Sequence, residues 1–209
     1  LRHTENIYND FDHEILLHRM LSNNGPVVLK GDLNNDGLVD LFIGGSSGDP
    51  DKLFIGTSSG WQTAEKSKLF FEKNKSFETT AGIIADFNND GFNDLVLGGG
   101  GNEYLKGEDH FSLRYYLNDK NSGLIVSDAL SRFKGNISTI LASDYDKDGD
   151  IDLFVGASIV PGNYGQIPRS FLLNNNGSGK FKDVTPAELS KMGMITSGVW
   201  SDFNTDGYP

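Results

Sequence analysis

The stretch Asp144–Asp152 is DYDKDGDID, and the rest of the chain repeats its pattern. Carboxylates occupy positions 1, 3, 5 and 9 of this nonapeptide, and Gly149 occupies position 6. The pattern recurs at Asp32–Asp40 (DLNNDGLVD) and at Asp86–Asp94 (DFNNDGFND), and it begins again at Asp202 (DFNTDGYP). The first positions, 32, 86, 144 and 202, are 54, 58 and 58 residues apart. This period predicts a repeat architecture in which each repeat is one supersecondary unit.

Short apolar runs surround each motif and predict four strands in each repeat. In every unit the first run precedes the acidic motif, the second follows it, and a Gly-containing turn separates the last two, near Asn121–Gly123 in the second unit. The predicted strands are Val27–Leu29, Leu41–Ile43, Leu53–Ile55 and one between Trp61 and Phe71; Gly82–Ile84, Leu95–Leu97, Arg114–Leu117 and Leu124–Val126; Thr139–Leu141, Leu153–Val155, Ser170–Leu173 and Phe181–Val184; and Ser197–Trp200, which opens a fourth unit.

Four short strands per repeat are typical of a β-propeller blade. We therefore expect an all-β fold, a partial β-propeller of about three four-stranded antiparallel blades plus the start of a fourth. The expected divisions are a lead segment at 1–26 and a repeat array at 27–209, with blades at about 27–78, 79–134 and 135–190 and a truncated fourth at 191–209. Within the lead segment, Glu14–Leu21 fits a strand or a short helix equally well. Since propellers close with about 4–8 blades, we expect an open arc whose end is covered by the lead segment or by another chain.

The composition excludes several classes of function. The 209 residues include no cysteine, so disulfides, thiolate metal sites and a cysteine nucleophile are excluded. The formal net charge of −11 argues against a basic surface that follows nucleic-acid phosphates. No apolar run is long enough to span a bilayer. The four histidines show no nucleophile–base spacing, so we expect a protein that is not an enzyme.

The spacing of the oxygen-bearing side chains predicts calcium as the cofactor. Ca²⁺ takes about 6–8 oxygen ligands, and short side chains at positions 1, 3 and 5 of a tight loop can converge on one centre. Glycine at position 6 permits the sharp turn, the backbone carbonyl of position 7 adds a ligand, and the carboxylate at position 9 closes the cage. We expect about three complete sites and an incomplete fourth. The predicted metal-binding residues are Asp32, Asn34, Asp36, Leu38, Asp40, Asp86, Asn88, Asp90, Phe92, Asp94, Asp144, Asp146, Asp148, Asp150, Asp152, Asp202, Asn204 and Asp206.

Two other interpretations of the motif are less consistent with the sequence. An EF-hand needs a bidentate Glu at position 12 and flanking helices, but position 12 holds Ile43, Leu97 and Val155 in apolar runs. A turn rich in Asp, Asn and Gly needs no ion and explains a single copy. Three complete copies at matched spacing favour the ion, because crowded carboxylates without a cation would repel one another.

The long connections between the second and third strands predict a recognition surface. These connections, Gly98–Phe111 and Gly156–Arg169, lie on the face opposite the predicted calcium loops, and long loops on a rigid scaffold commonly bind ligands. The alternative is a flexible connection with solvated polar side chains. The candidate ligand-binding residues are Asn102, Glu103, Tyr104, His110, Asn163 and Tyr164.

The pattern DxDxDGxxD, followed by an apolar strand that ends in Gly, resembles the FG-GAP/VCBS repeats and the calcium loops of integrin α-subunit propellers. Leu21–Gly31, Gly99–Tyr104 and Val160–Thr185 are similar to the secreted, cartilage acidic protein-like subgroup with ASPIC/UnbV domains. The resemblance implies a multi-bladed propeller with Ca²⁺ between strands 1 and 2 of each blade, in a protein that is extracellular, at the cell surface or periplasmic. This sequence departs from the subgroup because it contains no later blades and no ASPIC/UnbV domain.

The expected function is calcium-stabilised, non-catalytic recognition of a protein or glycan, with self-association through the open propeller edge. The first alternative is the propeller portion of a polysaccharide-active enzyme, either a lyase or a hydrolase. Arg, Lys, His or Tyr side chains converging on a pocket beside an ion would favour that enzyme. The second alternative is an extended structural spacer.

Overall fold

The computed structural model describes residues 3–104, 109–120 and 123–209, and it contains three four-stranded antiparallel sheets. In each sheet the strands are neighbours in chain order. The strands are β1 (Val28–Gly31), β2 (Asp40–Ile43), β3 (Lys52–Thr57) and β4 (Gly60–Thr63); β5 (Thr79–Ala85), β6 (Asp94–Gly99), β7 (Arg114–Asn118) and β8 (Leu124–Ser127); and β9 (Asn136–Ser143), β10 (Asp152–Ile159), β11 (Phe171–Asn175) and β12 (Phe181–Asp183). The expected all-β fold with three four-stranded antiparallel blades is confirmed. The turn predicted near Asn121–Gly123 lies largely outside the described residues.

The second sheet lies between the other two, and its strand β6 shows why the strands form a layered arc. All six residues of β6 are buried, so the strand is covered on both faces. Leu95 and Leu97 pack in one apolar cluster with Phe42 of the first sheet. Val96 packs in the other cluster with Leu153 of the third sheet. Because successive side chains of a strand point to opposite faces, this one strand contributes to both cores.

Glycines allow the neighbouring sheets to approach closely. A Cβ added to Gly98 would lie 2.7 Å from two carbons of Ile137 in the third sheet. A Cβ added to Gly31 would lie 2.7 Å from Cγ2 of Ile84 in the second sheet. The inner strand β5 therefore packs against β1 on one side and against β9 on the other, as neighbouring propeller blades do.

The region between Trp61 and Phe71, where the fourth strand of the first unit was predicted, holds the end of a strand and most of a helix. The predicted fourth strand is β4, which ends at Thr63, and α1 (Glu65–Lys73) follows it. Phe71 is 1% exposed, and its ring makes edge contacts with Phe42 and Tyr116. The helix thus adds an aromatic side chain to the core between the first and second blades, which the sequence analysis did not predict.

Ser197–Trp200 form no strand among the residues that the structure describes, which corrects the predicted start of a fourth sheet. A strand needs a hydrogen-bonded partner. The Ile195 N–H donates to Ala157 O (2.9 Å) in the third sheet, and beyond it the indole of Trp200 stacks on Tyr145, with ring centroids 6.2 Å apart. This stretch is held mainly by side-chain packing on the third sheet.

The lead segment crosses the face that carries the long loops. Glu14–Leu21 is neither a strand nor a helix, but a series of turns and bends after a 3₁₀ turn at Asp10–Asp12. The Asp10 carboxylate is fully buried and accepts bonds from Leu21 N (3.1 Å), Ser22 N (3.1 Å) and Ser22 Oγ (2.7 Å). The segment is therefore folded back on itself around one buried acid.

The helices are few and short. Besides α1, the described residues contain α2 (Ala187–Ser190) and a 3₁₀ turn at Asp109–Phe111. None of the helices in the described ranges has the length and apolar character needed to cross a bilayer.

Candidate metal centres

The acidic loops have one shared geometry, built by the carboxylate at position 1. In the first loop Asp32 accepts bonds from the backbone N–H groups of Asp36 (3.2 Å) and Gly37 (2.8 Å). Asp86 makes the same pair of bonds at 3.2 and 2.8 Å, and Asp202 makes them at 3.1 and 2.7 Å. The first, second and fourth motifs therefore fold identically at this point, even though the fourth has no strand before or after it.

The backbone of every loop enters the left-handed region at positions 4 and 6. Most residues avoid this region, whereas glycine adopts it without steric cost and Asn tolerates it. Position 6 is always glycine, as the sequence analysis predicted for a sharp turn. The φ angles are 58° at Asn35, 55° at Asn89, 62° at Lys147 and 60° at Thr205, and 82° at Gly37, 84° at Gly91, 92° at Gly149 and 89° at Gly207.

The third loop brings together the best donor set for a hard cation. Oxygens of Asp144, Asp146 and Asp152 lie within 4.8 Å of one another, and among the described residues no other His, Cys, Asp or Glu side chains form such a group of three. Asp144 Oδ1 is buried and has no hydrogen-bond partner. Carboxylate oxygens in this arrangement suit Ca²⁺, which prefers oxygen ligands, so the residues present fit the predicted ion.

The other loops carry an amide in place of one of these carboxylates. Asn34 Nδ2 donates to Asp36 Oδ2 at 2.8 Å, and Asn204 Nδ2 donates to Asp206 Oδ2 at 2.8 Å. In the third loop Asp146 occupies this position, and its carboxylate accepts from Asn174 Nδ2 (2.8 Å) instead. Because an amide has no charge, the first, second and fourth loops carry one negative charge fewer at position 3 than the third loop. The third loop therefore attracts a cation more strongly.

Position 9 is different from the other acidic positions because it points into the protein. Asp40 is fully buried and accepts bonds from Leu33 N (2.7 Å) and Gly56 N (2.8 Å). The equivalent Asp152 accepts from Tyr145 N (3.3 Å) and Asn175 N (2.7 Å). These bonds tie the loop to the third strand of its own blade, a role that the sequence analysis did not assign to position 9.

Burial is the main cause of the shifted pKa values of the carboxyl groups at position 9. It raises the pKa of Asp40 and Asp94 above their usual range, and it raises the pKa of Asp152 to about 6. In each case backbone N–H donors act in the opposite direction by stabilising the charged form. Asp94 also accepts a bond from Tyr115 Oη (2.9 Å), and burial followed by the charge of Asp94 raises the pKa of that phenol.

Two buried asparagines join the loops of neighbouring blades, and the sequence analysis missed them. Asn118 Nδ2 donates to Leu33 O in the preceding blade's loop and to Asn93 O (3.0 Å) in its own. Asn175 Nδ2 donates to Phe87 O (2.8 Å) and to Ile151 O (3.0 Å) in the same way. The available signal was an Asn one or two residues after the last Leu of the third strand in the second and third units.

The predicted ligand face is only partly accessible. Asn102 is 5% exposed and its amide donates to Glu14 Oε2 (2.8 Å), while Glu103 accepts from Asn6 Nδ2 (2.9 Å), so the lead segment covers both. Tyr104 stacks on His110 with ring centroids 3.6 Å apart. Tyr164 N donates to Glu14 Oε1 (2.7 Å), whereas Asn163 is exposed. The predicted residues thus lie in more than one environment, and part of the predicted face is an intramolecular contact.

Two grooves lie between blades at the end that carries these loops. Groove 1, between the first and second blades, has a volume of about 520 Å³ and is lined by Asn74, Phe77, Asp109, Ser112, Leu113, Arg114, Tyr115, Tyr116, Val126, Ser127, Asp128, Ser131, Arg132 and Lys134. Groove 2, between the second and third blades, has a volume of about 290 Å³ and is lined by Phe111, Lys134, Gly135, Asn136, Ile159, Val160, Pro161, Ile167, Pro168 and Arg169.

The floor of groove 1 is fixed by a buried ion pair. Arg114 Nη1 lies 3.1 Å from Asp51 Oδ2 in the first blade, and the two side chains are 7% and 3% exposed. The guanidinium also lies 4.7 Å from the ring centroid of Phe77. The groove therefore has a rigid base of mixed polar and aromatic character, as small-ligand sites commonly have.

The fold and the loops together define a propeller protein built from acidic-loop repeats, and comparison with known proteins agrees. Residues 32–97 and 86–155 each match the FG-GAP-like repeat, and together these matches cover more than half of the chain. The chain belongs to the FG-GAP-like repeat family. Comparison with curated proteins finds no match.

A solved structure shares the architecture. It is a lectin from Agrocybe aegerita, described for its specific recognition of non-reducing terminal N-acetylglucosamine. The TM-score is 0.51 at 18% identity, over 83% of this chain and 42% of the lectin. The chain therefore spans less than half of the length of that lectin, and the likeness shows the fold.

Proposed function

We propose that the protein is a calcium-stabilised recognition module that acts at the cell surface, in the periplasm or outside the cell, and that it binds a carbohydrate. The observation that carries the metal assignment is the third loop, where three carboxylates converge and Asp144 Oδ1 has no partner. Asp144, Asp146, Asp148 and Asp152 would hold the ion there, and the equivalent residues of the other loops would hold further ions.

Calcium in these loops stabilises the blades rather than carrying out chemistry. Each loop connects the first and second strands of its blade, and position 9 ties it to the third strand. Neutralising the crowded carboxylates removes their mutual repulsion. The proposed role of the ion is therefore to hold a rigid scaffold on which the opposite end presents its grooves.

Carbohydrate is the ligand class that groove 1 favours. Its lining combines carboxylate, guanidinium and hydroxyl groups with aromatic carbons, a mixture that can bind the polar edges and apolar faces of a sugar ring. The grooves are lined by residues near the connections between the second and third strands, at the end of the blades opposite the acidic loops, so the proposed ligand would bind away from the proposed ions. This arrangement favours binding over the lyase or hydrolase alternative.

A glycan-binding titration tests the proposal. Oligosaccharides ending in N-acetylglucosamine, mannose, galactose and uronic acids are titrated into the protein, with Asp128→Ala as the groove variant and Glu65→Ala, an exposed acid on α1, as the control. Losing one or two polar contacts should weaken binding about ten-fold in Asp128→Ala and leave the control unchanged. The absence of binding by every sugar, or equal binding by both variants, would refute the carbohydrate assignment. Release of shorter products from a polysaccharide would assign the enzyme instead.

A further inference from the structure

A second cluster of acids lies beneath the lead segment, far from the acidic loops. Glu78 directly precedes β5 and is 4% exposed, and Glu103 lies in the connection after β6. The lead segment passes over both, since Asn6 Nδ2 donates to Glu103 Oε1 at 2.9 Å. The start of the lead segment is also attached to the first blade, because Ser46 Oγ donates to Thr4 O (2.5 Å).

Several oxygens in this cluster are buried and have no hydrogen-bond donor. The amide oxygens and the ionised carboxylate oxygens can act only as acceptors, and a buried acceptor without a partner is destabilising. Buried side-chain oxygens are nearly always bonded, so a group of unbonded ones needs an explanation. The oxygens are Oε2 of Glu5, Oδ1 of Asn6, Oδ1 of Asp10, Oε2 of Glu78 and Oδ1 of Asn102.

Gly101 brings the two central carboxylates together. A Cβ on this residue would lie 2.2 Å from Glu78 Oε2 and 2.4 Å from Glu103 Oε2, so both oxygens border the same small space. The φ angle of Gly101 is +80°, which a glycine adopts easily. The N–H of Asn102 donates to Glu103 Oε2 (2.9 Å) and holds this carboxylate beside Glu78.

The cluster has no balancing positive charge among the described residues. No described Lys or Arg forms an ion pair with Glu78, Glu103 or Asp10, although His3 pairs with Glu5. Burial raises the pKa of Glu78 to about 10, and the charges of Glu103, Glu5 and Asp10 add to the effect. A group of buried acids in this state needs either protons or a cation.

We propose that Glu78 and Glu103, together with the side-chain oxygens of Asn6 and Asn102, bind a divalent cation of the calcium type that fastens the lead segment to the blades. Hard cations take carboxylate and amide oxygens. Oε2 of Glu78 and Oδ1 of Asn6 and Asn102 are unbonded, and Glu103 Oε2, which accepts one bond, borders the same space as Glu78 Oε2. Glu5 and Asp10 add negative charge around the site. The Asp144 loop brings three carboxylates within 4.8 Å of one another, whereas this site is centred on two carboxylates with amide oxygens, so it is a different kind of centre.

Cation binding here would control access to the loop face. Asn102 and Tyr164 are both bonded to Glu14 of the lead segment. Loss of the cation removes this link between the segment and the blades, and the segment should open more often. Arg19 is exposed in this segment and provides a site for trypsin.

The experiment counts bound calcium and follows cleavage after Arg19 in the same variants. Glu78→Gln and Glu103→Gln test the site, Glu72→Gln on the exposed face of α1 is the matched control, and Asp144→Asn tests the third loop separately. Equilibrium dialysis should show one calcium fewer in each site variant than in the control. Calcium at about 100 times its Kd should slow cleavage of the unmodified protein about 100-fold, and the two site variants should lose this protection.

The outcomes separate this site from the acidic loops. If Glu78→Gln and Glu103→Gln keep the full number of calcium ions and the full protection, the site is wrong and the two carboxyls share a proton. If Asp144→Asn keeps the full number while the Glu variants lose one, the acidic-loop assignment fails and this site stands. Should Glu78→Gln fold poorly, circular dichroism identifies it and Glu103→Gln alone decides the outcome.

Discussion

Replacing Asn118 by alanine should test how the blades are held together. Asn118 is 6% exposed, and its amide donates to Leu33 O in the first acidic loop and to Asn93 O (3.0 Å) in the second. Its Oδ1 also accepts from Lys120 N at 2.8 Å. The side chain therefore joins two blades and the turn after β7, while its backbone N–H remains bonded to Asp94.

The size of the effect follows from these three bonds. Each contributes about 1 kcal/mol net, and a buried carbonyl left without a donor costs about 1–3 kcal/mol. We expect Asn118→Ala to lower the free energy of unfolding by about 3 kcal/mol. For a protein of this length this corresponds to a melting temperature lower by about 6–12 °C. Asn118→Asp should be worse than alanine, because it places a carboxylate oxygen against two carbonyl oxygens.

Urea unfolding followed by tryptophan fluorescence, at saturating calcium, measures the difference. Asn74→Ala is the control, since Asn74 Nδ2 makes one bond to Phe70 O (3.1 Å) within a single blade and should cost only about 1 kcal/mol. The reasoning is refuted if Asn118→Ala lies within about 0.5 kcal/mol of the unmodified protein, or if Asn118→Asp is the milder of the two changes.

Three further predictions concern the loops and the third blade. Chelation of calcium should lower the melting temperature of the protein. In Asp144→Ala this drop should be smaller, because the third loop no longer contributes to it. Site-resolved calcium titration should show the third loop filling before the other loops. Gly149→Ala should cost about 1 kcal/mol, because φ is +92° but the space around the added Cβ is open, and a calorimetric scan that shows no loss would contradict this. Burial would raise the pKa of Asp183, but bonds from Thr185 and Arg169 hold it below its usual 3.8. The stabilisation is therefore present at neutral pH and lost as pH falls through the folded-state pKa. Asp183→Asn should be less stable than the unmodified protein at pH 7 by no more than about 1 kcal/mol. Well below pH 3.8, the urea unfolding midpoints of the variant and of the unmodified protein should coincide.

The blades and their loops could be predicted because their determinants are local. Position 1 and the N–H groups that it binds are four and five residues apart, so the motif itself contains the turn. The flanking apolar runs alternate between two faces, as in β6. Because this local motif and its flanking apolar runs recur three times at a regular spacing, the sequence was sufficient to predict the three sheets.

The bonds between blades and the path of the lead segment could not be predicted, because they depend on contacts between residues far apart in the sequence. Asn118 and Leu33 are 85 residues apart, and Glu14 and Tyr164 are 150 apart. The first pair recurs one unit later as Asn175 and Phe87, but each bond joins two units and is not contained in the motif of either. The helix α1 shows the same limit, since Phe71 fits a strand or a helix locally and only its packing on Phe42 and Tyr116 decides.

The two ends of the nonapeptide have separate structural roles, although both are aspartate. Position 1 binds N–H groups of its own loop, and in the fourth motif it does so without any neighbouring strand. Position 9 is buried and binds the third strand, as Asp40 binds Gly56. Position 9 therefore has two roles in the third loop, because Asp152 belongs to the carboxylate group there and also accepts Asn175 N of the third strand. Because position 9 connects the loop to the sheet, an ion bound at positions 1, 3, 5 and 9 would act on the whole blade and not on the loop alone.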